Sequence, residues 1–240
     1  MSSDPNQLTL AIDRPHQQRL DNFVVGDNAE LLQALKQVNA DFSAFWIFGA
    51  TGSGRSHLLR GCCHRSEQVG EPVTYVGCAD YLAAHGALDA DALLGQLRHA
   101  AGYGQLVAVD DVQWILGRGS LEEMLLAVYQ RLLHSRGRLL VSHTQPATAT
   151  DFAMADLNSR MRSLMHFHIS PLNDSHKAEL LRARADSRGY ELSHSVLNYW
   201  LSRGPRDIGA LLRDLDVLDR ASLVHKQRVT VPLLKQVLGY

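Results

Sequence analysis

Gly49-Ala50-Thr51-Gly52-Ser53-Gly54-Arg55-Ser56 decides how the rest of the chain is read. Its spacing is that of the phosphate-binding P-loop, GxxxxGK[ST], with Arg55 where lysine is usual. Gly49, Gly52 and Gly54 let the backbone curl so that N–H groups, Ser53's among them, turn inward toward phosphate oxygens. A helix beginning at Arg55 adds the partial positive charge of its N-terminus. Ser56 is then placed to ligate Mg²⁺, and position 55 to neutralise the β- and γ-phosphates. Arginine keeps the charge of lysine but carries it on a bulkier planar fork. Phosphate binding survives that exchange; alignment of a γ-phosphate for attack is less secure, so weak self-hydrolysis is expected.

Working outward, Ala44–Phe48 is an apolar, aromatic run that enters the loop as a buried strand. Before it, the apolar spacing from Asp27 to Val38 is helical. After it, helical patterns at Arg55–Ser66, Ala90–Ala100 and Leu121–Leu133 alternate with strand patterns at Pro72–Val76, Leu106–Val109, Leu139–Val141 and Met165–Ile169. Repeated strand–helix units predict an α/β fold, a parallel sheet covered by helices on both faces. Beyond Ser170-Pro171 the pattern is helical only, at Asp174–Arg188, Ser193–Leu201, Pro205–Val224 and Val231–Leu238. Asp174, Ser193 and Thr230 read as N-caps and Gly189 as a C-cap. Three segments are therefore expected: an extended tail over 1–20, a nucleotide-binding α/β domain over 21–170, and a small helical domain over 171–240.

The strand Val107-Ala108-Val109 ends in Asp110-Asp111. A carboxylate there can hold the Mg²⁺ shell, and its neighbour can polarise a water, so Asp110 is the metal-side candidate and Asp111 the water-activating one. A net charge of −1 over 240 residues, with 45% hydrophobic and 20% charged residues, implies no whole-molecule nucleic-acid field. No run is long enough for a membrane span, and Met1–Asn6 lacks the layout of a signal peptide. The three cysteines, Cys62, Cys63 and Cys78, are odd in number and argue for a reducing cytoplasm. The twelve histidines form no ligand cluster. His166 and His168 share one strand face and read as surface positions rather than a metal site.

In this order, the motifs resemble the AAA+ class of P-loop ATPases and, within it, the DnaA replication-initiator group. Asp21-Asn22-Phe23-Val24-Val25-Gly26-Asp27-Asn28 is similar to the segment that packs around the adenine. Leu157-Asn158-Ser159-Arg160 looks like the arginine-finger box, and Gly204-Pro205-Arg206-Asp207 like the second sensor of a helical lid. The shortened layout, ending after the lid without a helix-turn-helix domain, resembles the Hda branch, and Arg55-Ser56-His57 is typical of it. That branch carries a Gln-Leu-x-Leu peptide near its start for the DNA polymerase sliding clamp. Gln7-Leu8-Thr9-Leu10-Ala11-Ile12 fits, with Gln7 as polar anchor and Leu8, Leu10 and Ile12 as an apolar edge.

The resemblance implies a bacterial cytoplasmic negative regulator of replication initiation. It implies a bound adenine nucleotide, ADP or ATP with Mg²⁺, and ADP is favoured by His143, where the initiator group shows an acidic first sensor. Phe23, Val24, Val25, the loop residues, His57 and the sensor Arg206 would line that nucleotide. Arg160 would act across an interface on ATP held by DnaA, with Arg162 as its rival. The implied partners are DnaA, the clamp (the polymerase β subunit) and, mainly through the loaded clamp, DNA; a homo-oligomer is compatible. Two other readings stay open: a self-contained ATPase of helicase-loader type, and an adaptor that tethers DnaA to the clamp without a finger.

Overall fold

The computed structural model describes residues 18–37, 41–82, 87–225 and 228–240. The expected clamp peptide, with Gln7, Leu8, Leu10 and Ile12, lies outside the described residues, as does Val38. The strands are β1 (Ser43–Phe48), β2 (Val73–Gly77), β3 (Leu106–Asp110), β4 (Arg138–His143) and β5 (Met165–His168). They form one five-stranded sheet in the order β2-β3-β4-β1-β5, every neighbour parallel. This is the expected fold class. β1 thus lies inside the sheet, and the P-loop leaves its carboxyl end between β4 and β5.

Alternation along β1 sets the two layers. Ala44 and Trp46 face a core shared with α3 (Ala90–Gly102), α4 (Gly119–Ser135) and α5 (Ala155–Arg162). Phe45 and Ile47 face a second core with α1 (Ala29–Lys36) and α2 (Arg55–Gln68). In α4, Leu121, Leu125, Val128 and Leu132 are fully buried, one stripe of a 3.6-residue period against the sheet. Removing any one of these leucines from water contributes about 1.5–3 kcal/mol.

The C-terminal helices are α6 (Asp174–Asp186), α7 (His194–Arg203), α8 (Ile208–His225) and α9 (Val231–Leu238). They close around their own core, with Trp200, Leu197, Leu215 and Leu234 at its centre. Ser193 and Thr230 cap α7 and α9 as expected, each accepting a backbone N–H at 3.4 Å. Three expectations shift. The C-cap of α6 is Ser187, after Asp186, not Gly189. The N-cap of α6 is Asn173, which accepts from His176 N at 2.9 Å, and Asp174 is the first helical residue. The eighth helix starts at Ile208, not Pro205, because Asp207 accepts from Ala210 N at 2.8 Å and so fixes its start. Among the described residues no helix is long and apolar enough to cross a membrane.

Candidate functional site

The loop after β1 has the backbone its glycines predict. Gly52 and Gly54 lie at φ 80° and 104°, where an L side chain is strained. Gly49 has no room for a Cβ, which would meet Ser53 Oγ at 3.0 Å and Ile169 O at 3.1 Å. Gly54 is the N-cap of α2, so Arg55 and Ser56 open that helix. Arg55 is nearly buried, and its Nη2 lies 2.9 Å from Asp111 Oδ1. Ser53 Oγ, Arg55 Nη1, Gln113 Oε1 and His143 Nε2 are buried side-chain atoms without a hydrogen-bond partner. Such groups are costly unless something meets them. A glycine cradle with unmet donors around a guanidinium suits a phosphate group.

Asp110 sits at the end of β3, opposite β4, and is buried. Tyr75 Oη donates to its Oδ2 at 2.7 Å, and Ser142 Oγ donates to its Oδ1. Ser142 Oγ also accepts from Asp111 N at 2.9 Å. Asp110 therefore faces neutral hydroxyls, while Asp111 takes the cation. A carboxylate and the Ser56 hydroxyl are hard oxygen donors, the chemistry Mg²⁺ prefers when phosphate oxygens and water complete its shell. Asp111 adopts φ 55°, uncommon for a side-chain-bearing residue, and also accepts from Gln113 Nε2 at 3.0 Å.

The strand β4 runs two residues past its expected end and carries His143. His143 stacks on Trp46 with ring centroids 5.3 Å apart, and its Nδ1 accepts from Gln145 N at 2.7 Å. The proton therefore belongs on Nε2, one of the unmet groups. Burial, with the positive charge of Arg55 adding to it, pulls the imidazole down to about 4.

Phe23 lies over the loop: a Cβ on Gly54 would meet its ring at 2.9 Å, and its ring meets His57 edge-on at 5.4 Å. His57 turns away from the loop and donates through Nε2 to Arg19 O at 2.8 Å, with Asn22 Oδ1 at 2.9 Å. Its burial lowers its affinity for a proton. Asn28 ties this segment to the start of the helical region. Its Nδ2 donates to Val25 O at 3.0 Å and to Ser170 O at 3.2 Å, and its Oδ1 accepts from Ser170 N at 2.7 Å. Val25 packs into the core beside α2. Phe23, Val24 and Val25 are the expected base-packing residues, and Asn28 holds their segment against Ser170, just before the lid.

Arg160 stands on the last turn of α5. It is half-exposed, pairs with Asp156 at 3.2 Å and lies over the Tyr129 ring at 5.7 Å. Arg162 pairs with Asp151 at 2.8 Å and borders a shallow hollow of about 510 Å³ that Asn158 and Ser159 also line. Asn158 holds the turn before the helix, donating to Phe152 O at 2.6 Å and accepting from Phe152 N at 2.8 Å. Beneath it, the fully buried carboxylate of Glu122 accepts from Gly117, Ala153 and Met154 N at 2.7, 3.1 and 3.0 Å. His166 Nε2 lies 3.1 Å from Met161 O, and among the described residues no cluster suited to a metal ion occurs.

A family profile for the bacterial DnaA ATPase domain matches residues 15–170, and one for the Hda lid domain matches 174–238. The chain belongs to the DnaA-related AAA+ proteins, of the Hda type. Solved structures agree on the fold. Domain III of the Thermotoga maritima initiator DnaA is 18% identical, with a TM-score of 0.77 over 93% of this chain and 96% of that one. DnaA from Aquifex aeolicus, solved with AMPPCP, is 20% identical, with a TM-score of 0.66 over 87% and 68%. A Thermotoga maritima RuvB variant is 15% identical, with a TM-score of 0.65 over 92% and 71%. At these identities the likeness speaks for architecture alone.

Within this DnaA-related AAA+ chain the structure gathers the loop residues, Asp110, Asp111, His143 and Phe23 at one end of the sheet. Arg206 stands apart from that group. It is largely exposed, and its Nη1 donates to both oxygens of Asp174 at 3.0 and 2.9 Å. The residue that meets the loop from the lid is its neighbour, Asp207, whose Oδ2 comes 2.8 Å from where a Cβ on Gly52 would stand. Sequence reasoning missed Asn28, Tyr75, Glu122 and Asp207. Asn28 and Asp207 each fell within a quoted motif without a role of their own, while Tyr75 and Glu122 left no signal.

Proposed function

We propose that the chain is a negative regulator of replication initiation, which binds an adenine nucleotide and drives hydrolysis of ATP held by DnaA. The observation that carries this is the presentation of Arg160. It is half-exposed at the end of α5, steered by Asp156 and the Tyr129 ring, on a helix whose start is pinned by Asn158 and Glu122. A half-exposed guanidinium held by these neighbours suits charge developing on a phosphoryl group in another protein, a contribution of roughly 10³–10⁵ in rate.

The chain's own loop takes the regulatory nucleotide, with Gly49, Gly52, Ser53, Gly54 and Arg55 toward phosphate and Phe23, Val24 and Val25 toward the base. The DnaA structures solved with AMPPCP support an adenine nucleotide by analogy. Bound Mg²⁺ would offset phosphate charge, held by Ser56 and, through its shell, Asp110. Asp111 is engaged by Arg55, which favours slow turnover here and ADP as the resident ligand. His57 supports the site from behind by holding residues 19–22 to α2. Gln7, Leu8, Leu10 and Ile12 dock the chain on the sliding clamp, which brings it to DnaA on DNA in the bacterial cytoplasm.

The test is hydrolysis of DnaA-bound ATP with clamp loaded on DNA. Wild type should stimulate it, more with ADP than with ATP. Arg160→Ala should fold and bind nucleotide normally but lose the stimulation, while Arg162→Ala keeps most of it. Full stimulation by Arg160→Ala would sink the proposal in favour of a tether. Brisk turnover by the purified chain alone, raised by single-stranded DNA, would instead mark a helicase-loader type of ATPase.

A further inference from the structure

Three groups at or beside the site that could attract phosphate already face a carboxylate of this chain. Asp111 holds Arg55 at 2.9 Å. Asp174, at the start of α6, holds Arg206 through both its oxygens. Asp207 brings Oδ2 to 2.8 Å from the Cβ position of Gly52, a residue whose positive φ turns the loop's backbone into an anion cradle. Asp207 is fixed there by geometry, because its other oxygen caps α8 through Ala210 N at 2.8 Å. Asp207 and Arg206 are adjacent in sequence, yet the anion faces the loop and the cation faces away from it. A carboxylate leaving Gly52 has a neighbour to receive it. Arg213 Nη1 stands 3.4 Å from the Gly209 Cβ position that Asp207 Oδ1 approaches to 3.2 Å.

We propose that Asp207 is an internal anion that competes with nucleotide phosphate at the mouth of the P-loop. This rests on the nucleotide reading of the loop given above. Phosphate entering the cradle must displace or repel the Asp207 carboxylate, and the same anion draws Arg206 off Asp174. Those two residues belong to the start of α8 and the start of α6. Occupancy of the loop is thereby converted into a rearrangement of the lid through an exchange of ion pairs, with no hydrolysis required. A ligand bearing more negative charge at the mouth meets more resistance, so Asp207 also biases the site toward the diphosphate.

The experiment is calorimetric titration of the full chain with ADP and with ATP, each with Mg²⁺, comparing wild type with Asp207→Asn. Asparagine caps a helix as well as aspartate does, so the substitution removes charge and keeps the fold of α8. Two like charges a few ångströms apart in a solvated cleft correspond to an affinity change of roughly three- to ten-fold. Asp207→Asn should bind ADP tighter by about that factor and ATP by a larger one, and the gap should close in high salt. Asp207→Ser, a second neutral cap, repeats the measurement should the first variant unfold. Equal or weaker binding by the neutral variants overturns the role of Asp207 while leaving the nucleotide site standing. Failure of both wild type and variants to bind either nucleotide overturns the reading of the site itself and this inference with it.

Discussion

Glu122→Ala removes the acceptor of three backbone N–H groups at once. Oε1 accepts from Gly117 at 2.7 Å and Ala153 at 3.1 Å, and Oε2 from Met154 at 3.0 Å, all around a fully buried carboxylate. A hydrogen bond to a charged group contributes about 1.5–3 kcal/mol net, and an orphaned buried donor costs about 1–3 kcal/mol. Water entering the vacated space recovers part of this, so the loss should be on the order of 3–5 kcal/mol. Against a domain stability of about 5–15 kcal/mol that is a large fraction. With a urea slope of roughly 2–3 kcal/mol/M, the midpoint of the sheet domain should fall by about 1–2 M. Glu122→Gln grades the effect. Its carbonyl can keep the two bonds of Oε1, but its amide meets Met154 N–H donor to donor, so about half the loss is expected. Amide exchange at Ala153 and Met154 should rise in both variants, and stimulation of DnaA should fall with it, because these amides open the helix of Arg160. An alanine variant within about 0.5 kcal/mol of wild type would refute the account. So would a glutamine variant as damaged as the alanine one.

Two further outcomes follow from burial. His143 is held neutral in the fold, at about 4, against an ordinary value near 6.5. Its folded value is the lower one, so the unfolded chain takes up the proton first as pH falls. The stability it contributes is full above about 6.5 and is lost between about 6.5 and 4, amounting to about 3 kcal/mol. Acid unfolding of His143→Asn should lack this slope; an unchanged pH profile would count against it. Burial likewise pushes the thiols of Cys62, Cys63 and Cys78 up, Cys62 to about 11. All three should resist a thiol reagent at pH 8 in the native protein and react on unfolding, and rapid native labelling of any of them would contradict the packing.

The sheet was legible because its central strands are unbroken apolar runs and its longest helix carries a clean stripe. The helix α5 was not, since Ala155–Arg162 holds only Leu157 and Met161 on its buried side and is otherwise polar. It is a helix because Glu122 and Asn158, far apart in sequence, satisfy the backbone of the turn that leads into its start. The turn of the P-loop and the helix start at Arg55 were legible in its glycines. What its side chains touch was not: Arg55 meeting Asp111, Tyr75 meeting Asp110, and Asp207 meeting Gly52 are all products of tertiary placement. Adjacent residues such as Arg206 and Asp207 read alike as a charged turn, and only the fold sorts which one faces the loop.

The Trp46–His143 stack also has an optical consequence. The indole of Trp46 is fully buried, donates to Gln145 O at 3.0 Å, and lies on the strand that becomes the P-loop. Trp114 is half-exposed in the turn after Asp111, and Trp200 sits in the core of the helical lid. The three tryptophans of the chain thus sample the sheet beneath the loop, the acidic turn beside it, and the lid. Emission from Trp46 should be blue-shifted by burial, and that of Trp114 red-shifted by water. With the other two replaced by phenylalanine, each indole becomes a spectroscopic reporter of one region, so the order in which loop and lid respond to a ligand can be timed without a label.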